Sequence, residues 1–206
     1  MGNGAGSSAP RALRRAVFVD RDGVINRAAV RNGRSYPPGS LAELEILPGV
    51  AEALIALRKA GFLVIVATNQ PDVGSGKQRR EVVEAMHARL RRELALDDIR
   101  VCYHVDADNC SCRKPLPGML REAASDWGIA LGESFMVGDR WRDMEAGRAA
   151  GCRTAFVDYG LDEGRPVAAD MVVDSLAAAS RWILSPPPSP TSAAAAKGVP
   201  KAGRNA

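Results

Sequence analysis

The sequence predicts an α/β protein: a three-layer α/β sandwich on a mostly parallel, doubly wound sheet. Three observations carry this expectation. Short apolar runs rich in β-branched and aromatic residues, such as Val17-Phe18-Val19 and Phe62–Val66, recur along the chain. Stretches with helical apolar spacing separate them, an alternation that brings strands into one parallel sheet with helices on its faces. Polar residues able to do chemistry fall where the apolar runs stop, and open α/β sheets bind their ligands outside the carboxyl ends of their strands.

Taken in order, Ala16–Asp20 is the first expected strand, ending in Asp20-Arg21-Asp22-Gly23. Residues 27–48, rich in Arg, Asn, Gly and Pro, read as a long polar loop. Pro48-Gly49 opens an amphipathic helix over Val50–Ala60, with Val50, Ala53, Leu54 and Leu57 on one face and Gly61 closing it. Phe62–Thr68 is apolar on both faces, as central parallel strands are. A charged helix follows over Gln78–Glu93. Ile99–Tyr103 is a third strand, and a Cys/His loop leads to a helix from Pro117 to about Trp127. Phe135–Val137, a helix over Met144–Ala150, and Arg153–Val157 continue the alternation. A short strand at Met171–Val173 and a helix over Ser175–Leu184 complete the body. His87 in the charged helix is expected to be solvated or partly packed, and Cys152 to be a small core residue.

Residues 1–14 read as a disordered leader and 185–206, with a Pro-rich start and an Ala run, as a disordered tail. The folded body is then 15–184. The formal charge of +4 is unevenly placed: residues 1–15 and 185–206 each carry three cations and no acid, which leaves 16–184 at −2. A basic groove for nucleic acid is therefore not expected. No apolar run approaches the length of a membrane span, and the N-terminal stretch has no apolar core of a secretory signal. With four cysteines, three of them clustered near a histidine, a cytoplasmic protein is expected.

The residues at the strand ends specify a chemistry. Asp20 and Asp22, with Asp139 and Asp143, place carboxylates at neighbouring strand ends, and hard oxygen ligands in small number suit Mg²⁺. One carboxylate can attack an electrophile while the other handles a proton. The Thr68 hydroxyl and the backbone N–H groups after it can hold phosphoryl oxygens. Lys114 can balance the charge of nucleophile and phosphate. Arg113 and Arg140 flank these groups and can bind phosphate through two parallel hydrogen bonds; Arg31, Arg34 and Tyr36 are further candidates for substrate contact. In the second cluster, Cys102-x-His104 and Cys110-x-Cys112 bound one short loop, residues 102–112. Three thiolates and an imidazole make a closed tetrahedral set for a structural Zn²⁺.

In order, Asp20-x-Asp22-Gly23-Val24, Thr68-Asn69-Gln70, Arg113-Lys114-Pro115 and Gly138-Asp139-x-x-x-Asp143 resemble the four motifs of haloacid dehalogenase (HAD)-type phosphatases. The resemblance spans nearly all of the body. It implies a HAD-like fold, with Asp20 as the nucleophile that forms an aspartyl-phosphate and Asp22 as the acid and base. Mg²⁺ would be held by Asp20, Asp139 and the backbone carbonyl of Asp22, and Thr68 and Lys114 would stabilise the phosphoryl group. The Cys/His loop just before Arg113-Lys114, with Cys-Arg-Lys-Pro-x-Pro-Gly-Met, resembles the subgroup containing D-glycero-D-manno-heptose 1,7-bisphosphate phosphatases and histidinol-phosphate phosphatases. That resemblance implies a small phosphorylated metabolite as substrate. The C7 phosphate of the heptose bisphosphate is the first choice, because Arg113, Arg140 and the Arg31/Arg34 loop offer more cations than one phosphate needs. Histidinol phosphate is the second choice, and a zinc-stabilised binding module without activity the non-enzymatic one. Asn69, Gln70, Arg113, Arg140 and Arg31 are the expected substrate contacts. The chain departs from the family pattern after Gln70, where Pro71-Asp72-Val73-Gly74-Ser75-Gly76 replaces the usual x-x-x-Ala-Arg-Gly. The segments where family members insert caps, 27–48 and 71–77, are short, so no large cap domain is expected, and an uncapped site favours a monomer.

Overall fold

The computed structural model describes residues 13–160, 164, 166 and 168–185. The expectations for the leader and for most of the tail lie outside the described residues. The chain order is β1 (Arg15–Val19), β2 (Ala29–Arg31), β3 (Arg34–Tyr36), α1 (Val50–Lys59), β4 (Phe62–Asn69), α2 (Pro71–Gly74) and α3 (Arg80–Glu93). There follow β5 (Asp98–Cys102), α4 (Gly118–Trp127), β6 (Phe135–Gly138), α5 (Trp141–Ala150), β7 (Arg153–Val157), β8 (Met171–Val173) and α6 (Leu176–Leu184).

Six strands form one parallel sheet in the order β5-β4-β1-β6-β7-β8. The first strand of the chain is thus central, paired with β4 from Arg15↔Phe62 to Val19↔Val66 and with β6 from Val17↔Phe135 to Val19↔Val137. Both faces of β1 are covered, which explains its unbroken apolar run. Side chains alternate across the sheet. Val17 and Val19, with Val64 and Val66, pack under α1, α3 and α6 through Leu54, Leu57, Met86, Leu90, Ala179 and Ile183. Phe18, with Leu63 and Ile65, packs under α4 through Met119, Leu120 and Ala123, and Cys152 joins this side as expected. Each fully buried residue of this size contributes about 1.5–3 kcal/mol. The core therefore anchors β1 from both sides and fixes where Asp20 emerges.

Three sequence expectations change. Residues 27–48 are not a structureless loop: β2 and β3 form an antiparallel hairpin, and a 3₁₀ turn follows at Leu41–Glu43. The hairpin turn is Asn32-Gly33, both at positive φ (51° and 71°), the mirror-image geometry that two-residue hairpins prefer. The segment 71–77 holds the one-turn helix α2, and α5 begins at Trp141, three residues before the expected start. His87 is not solvated. It lies with Val83, Met86 and Leu90 on the buried face of α3 and is fully buried. Among the described residues no inserted domain stands over the sheet's carboxyl edge, and no helix is long and apolar enough to cross a membrane.

Candidate active site

The carboxyl ends of β1, β4 and β6 deliver Asp20, Thr68 and Asp139 to one place, and the loop after β5 delivers Lys114. The backbone N–H of Asp20 donates to the Val137 carbonyl at 2.9 Å, so the first residue beyond β1 is still tied to β6. The Lys114 ammonium donates to Asp20 Oδ1 (2.8 Å) and the Ala67 carbonyl (2.7 Å), and pairs closely with Asp143. Asn69 fixes the Lys114 backbone by donating to its carbonyl (2.9 Å) and accepting from its N–H (3.1 Å). All the groups of Lys114 that carry or direct its charge are thus preset by the sheet.

Asp20, Asp139 and Asp143 bring one carboxylate oxygen each within 4.8 Å of one another. Burial raises Asp20, the Lys114 charge opposes it, and Asp143 and Asp22 add to the rise, leaving it at about 6. Burial, then the charges of Asp20 and Asp143, hold Asp139 well above the usual carboxylate range. Asp139 Oδ1 is buried with no hydrogen-bond partner. Crowded, desolvated carboxylates with an orphaned oxygen fit a hard divalent cation, which repays their mutual repulsion. Gly23 is required here. It sits at φ +86°, and a Cβ would meet Asp139 Oδ2 at 2.1 Å. The Asp-x-Asp-Gly turn and the Asp139 loop can pack together only without a side chain at this position.

Asp22 is set differently. Its carboxylate accepts from Arg21 Nε (3.0 Å), Arg21 Nη2 (2.8 Å), Asn26 Nδ2 (3.0 Å) and Gln70 Nε2 (2.8 Å). Burial pushes this carboxyl up, but the Arg21 guanidinium and the donated hydrogen bonds outweigh it and hold Asp22 below its usual range. Two carboxyls one residue apart are therefore pushed in opposite directions, and Asp22 stands ionised in the grip of Arg21.

A cavity of ≈ 220 Å³ opens on these groups, lined by Asp20, Asp22, Asn69, Lys114, Arg113, Arg140 and Arg142, with Ser35, Tyr36 and Pro37 of the hairpin side and Asp72 of α2. Arg113 donates through Nε to Asp106 (2.6 Å), and its Nη1 is buried without a partner. Arg140 Nη2 donates to the Ser35 carbonyl at 2.9 Å, tying the β6 edge to the hairpin. Of the expected substrate contacts, Asn69, Arg113 and Arg140 line this cavity, whereas Gln70 and Arg31 do not. Gln70 is buried below it, where Nε2 also donates to Thr68 Oγ1 (2.9 Å) and Oε1 accepts from Arg21 (3.0 Å). It links the side chains of Asp22, Thr68 and Arg21. Arg31 is exposed on β2, and Arg34 is described by its backbone alone. Reading single residues missed Arg21, Arg142 and Asp72. The position of Arg21 between the two aspartates was the available signal for the first.

In the Cys/His loop, Sγ of Cys102, Cys110 and Cys112 lie 3.2–3.7 Å apart, and His104 Nδ1 lies 3.6 Å from Cys102 Sγ and 3.3 Å from Cys112 Sγ. A tetrahedron with Zn–S of ≈ 2.3 Å has edges of roughly 3.5–3.8 Å. The Cys102–Cys110 and Cys102–His104 separations fall on these edges, and the three separations from Cys112 are shorter by 0.1–0.6 Å.

Three comparisons bear on this chain. A HAD-hydrolase-like family model matches residues 111–179. The chain is 38% identical over 180 residues to the D-glycero-beta-D-manno-heptose-1,7-bisphosphate 7-phosphatase of Pseudomonas aeruginosa, covering 83% of this chain and 98% of that protein. It is 35% identical to the enzyme of the same name from Bordetella bronchiseptica, over 75% of this chain and 92% of that one. Among solved structures, the B. bronchiseptica D,D-heptose 1,7-bisphosphate phosphatase complexed with magnesium and phosphate matches with TM-score 0.68 and 32% identity, covering 82% of this chain and 98% of that one. The Burkholderia thailandensis D,D-heptose 1,7-bisphosphate phosphatase matches with TM-score 0.60 and 30% identity, over 84% and 100%. With the ordered motifs, the parallel sheet and the carboxylate–lysine cluster at its edge, these likenesses establish that the chain belongs to the HAD-type phosphatases and is an enzyme of that family.

Proposed function

We propose that this phosphatase removes the C7 phosphate of D-glycero-D-manno-heptose 1,7-bisphosphate through an Asp20 phospho-enzyme. Asp20 attacks phosphorus, and the bond from phosphorus to the sugar oxygen breaks. Asp22, ionised as Arg21 holds it, takes a proton from the water that hydrolyses the aspartyl-phosphate and gives that proton to the leaving oxygen of the next substrate. Asp20, Asp139 and the backbone carbonyl of Asp22 would hold Mg²⁺, which when bound would supply charge neutralisation on the phosphoryl oxygens. Thr68 and Lys114 stabilise the transferred group. Lys114 in addition keeps Asp20 ionised by offsetting its carboxylate neighbours.

The observation that carries the substrate reading is the cationic lining of the cavity, with the buried, unpartnered Nη1 of Arg113 beside Arg140 and Arg142. A bisphosphate needs such a second anion site, and the names of the relatives support the same choice. One finding favours the alternative. Asp72 puts a carboxylate in the cavity wall, suited to the amine of histidinol phosphate. Side-by-side kcat/KM values on the α and β heptose bisphosphates and on histidinol phosphate decide between them. The heptose bisphosphate is expected to be preferred, and a preference for histidinol phosphate overturns the substrate choice. Asp20→Asn is expected to abolish turnover with the fold intact, and ordinary turnover by that variant would refute the mechanism.

The Cys102/His104/Cys110/Cys112 set is proposed to hold one structural Zn²⁺, with Arg113 and Lys114 directly after its last ligand. A cytoplasmic monomer is the proposed state; all four cysteines are free thiols, which suits a reducing compartment.

A further inference from the structure

Arg21 is the largest of the fully buried side chains, and it lies between the two catalytic aspartates. A guanidinium is always charged and only donates. Burying it requires an acceptor for each placed N–H. Two of its donors close on both oxygens of Asp22, a third reaches Gln70 Oε1, and Nη1 lies 3.1 Å from His87 Nε2. Because Arg21 cannot accept, His87 Nε2 must, so His87 is neutral with its proton on Nδ1. Nδ1 faces Glu84 Oε2 at 3.8 Å, and the other Glu84 oxygen accepts from the Tyr103 hydroxyl. Tyr103 sits between Cys102 and His104 and carries the Arg80 guanidinium over its ring at 4.6 Å. His87 is thus fixed by the buried face of α3 and by the Nε2 contact with Arg21, while Nδ1 is buried without a hydrogen-bond partner.

The geometry points to His87 and Arg21 as positioning residues for proton transfer by Asp22: His87 anchors the guanidinium, and the guanidinium holds the Asp22 carboxyl in one plane at the cavity wall. Neither touches the phosphoryl group. Asn26 and Gln70 each give Asp22 one neutral hydrogen bond, whereas Arg21 grips both oxygens and so sets the plane of the carboxyl. Without the His87 acceptor, Arg21 holds a buried N–H with no partner and turns to find one, taking Asp22 with it.

This inference rests on the reading of Asp22 as the acid, and the test separates the two. Steady-state kinetics of the full chain with Mg²⁺ are compared on p-nitrophenyl phosphate, whose leaving group departs without a proton, and on an alkyl phosphate such as glycerol phosphate, whose leaving group needs one. His87→Leu is expected to lower kcat on the alkyl ester by about 10-fold or more, part of the 10²–10⁴ that general acid catalysis supplies. On the aryl ester it is expected to change kcat by less than about 3-fold, with KM little altered. His87→Gln, whose Oε1 restores an acceptor near the Nε2 position, is expected to recover most of the alkyl activity. Equal losses on both esters, or no recovery in His87→Gln, overturn the positioning role. Should His87→Leu fail to fold, Arg21→Lys, which keeps the charge but cannot grip both oxygens, is expected to show the same leaving-group dependence, and equal losses there also overturn it. Asp22→Asn is the control. If it shows no leaving-group dependence, Asp22 is not the acid, and this inference falls with it.

Discussion

At the scale of single residues, two positions, His87 and Gly23, shape the site from behind it. Burial, with the Arg21 charge beside it, lowers His87 from 6.5 to about 4. The unfolded chain then binds a proton between these values that the folded chain refuses. Stability is therefore expected to be complete above pH 6.5 and to fall as pH drops towards 4, by up to about 3 kcal/mol from this residue. Melting temperature against pH checks this, and His87→Gln is expected to flatten the slope between 4 and 6.5. Gly23 is the second case. Gly23→Ala drives a methyl group into the Asp139 carboxylate, so a weaker Mg²⁺ dependence of activity is expected, read as a rise of 10-fold or more in the Mg²⁺ concentration for half-activity, by analogy with the loss from disturbing the support of a metal ligand. That Asp20, Thr68, Lys114 and Asp139 gather at one edge of the sheet was legible in the sequence, because their motifs fall at or beyond the ends of successive strands. Arg21 was not, because its role depends on Gln70 and His87, which arrive from other elements. His87 could have been placed, since Val83, Met86, His87 and Leu90 follow the spacing of one helical face.

At the scale of elements, strand and helix order follows the sequence expectation, while the connections differ from it. The run 27–48 was read as loop on its composition, yet Asn32-Gly33 is a strong two-residue hairpin signal. Its flanking strands are three residues each and β2 is exposed throughout, so no apolar alternation marks them. The Cys/His loop is the opposite case, legible from spacing alone. Purified chain is expected to contain about one zinc per molecule, and Cys110→Ser to lose most of it and to lower kcat, since Lys114 lies four residues beyond that ligand. Metal analysis beside activity measures both. Zinc-free protein of full activity would contradict the structural role.

At the scale of the whole molecule, the site is a product of sheet order. Asp20 follows a strand held between β4 and β6, and its neighbours Thr68, Lys114 and Asp139 come from three separate parts of the chain. A fragment ending at Ser134 keeps β1, β4 and β5 but lacks β6, α5, β7, β8 and α6. It is expected to show no cooperative melting, because one edge of β1 and the apolar face under α6 are left open. The central place of the first strand also has a consequence in time. The nucleophile is made early, and the carboxylate that completes its cation site is made roughly 120 residues later, a delay of about 6–24 s at ribosomal speeds of ~5–20 residues per second. Throughout that interval a growing chain carries Asp20 without Asp139, so on the proposed mechanism phosphate-ester chemistry begins only when synthesis has passed β6, and a ribosome stalled before that point displays Asp20 but no enzyme.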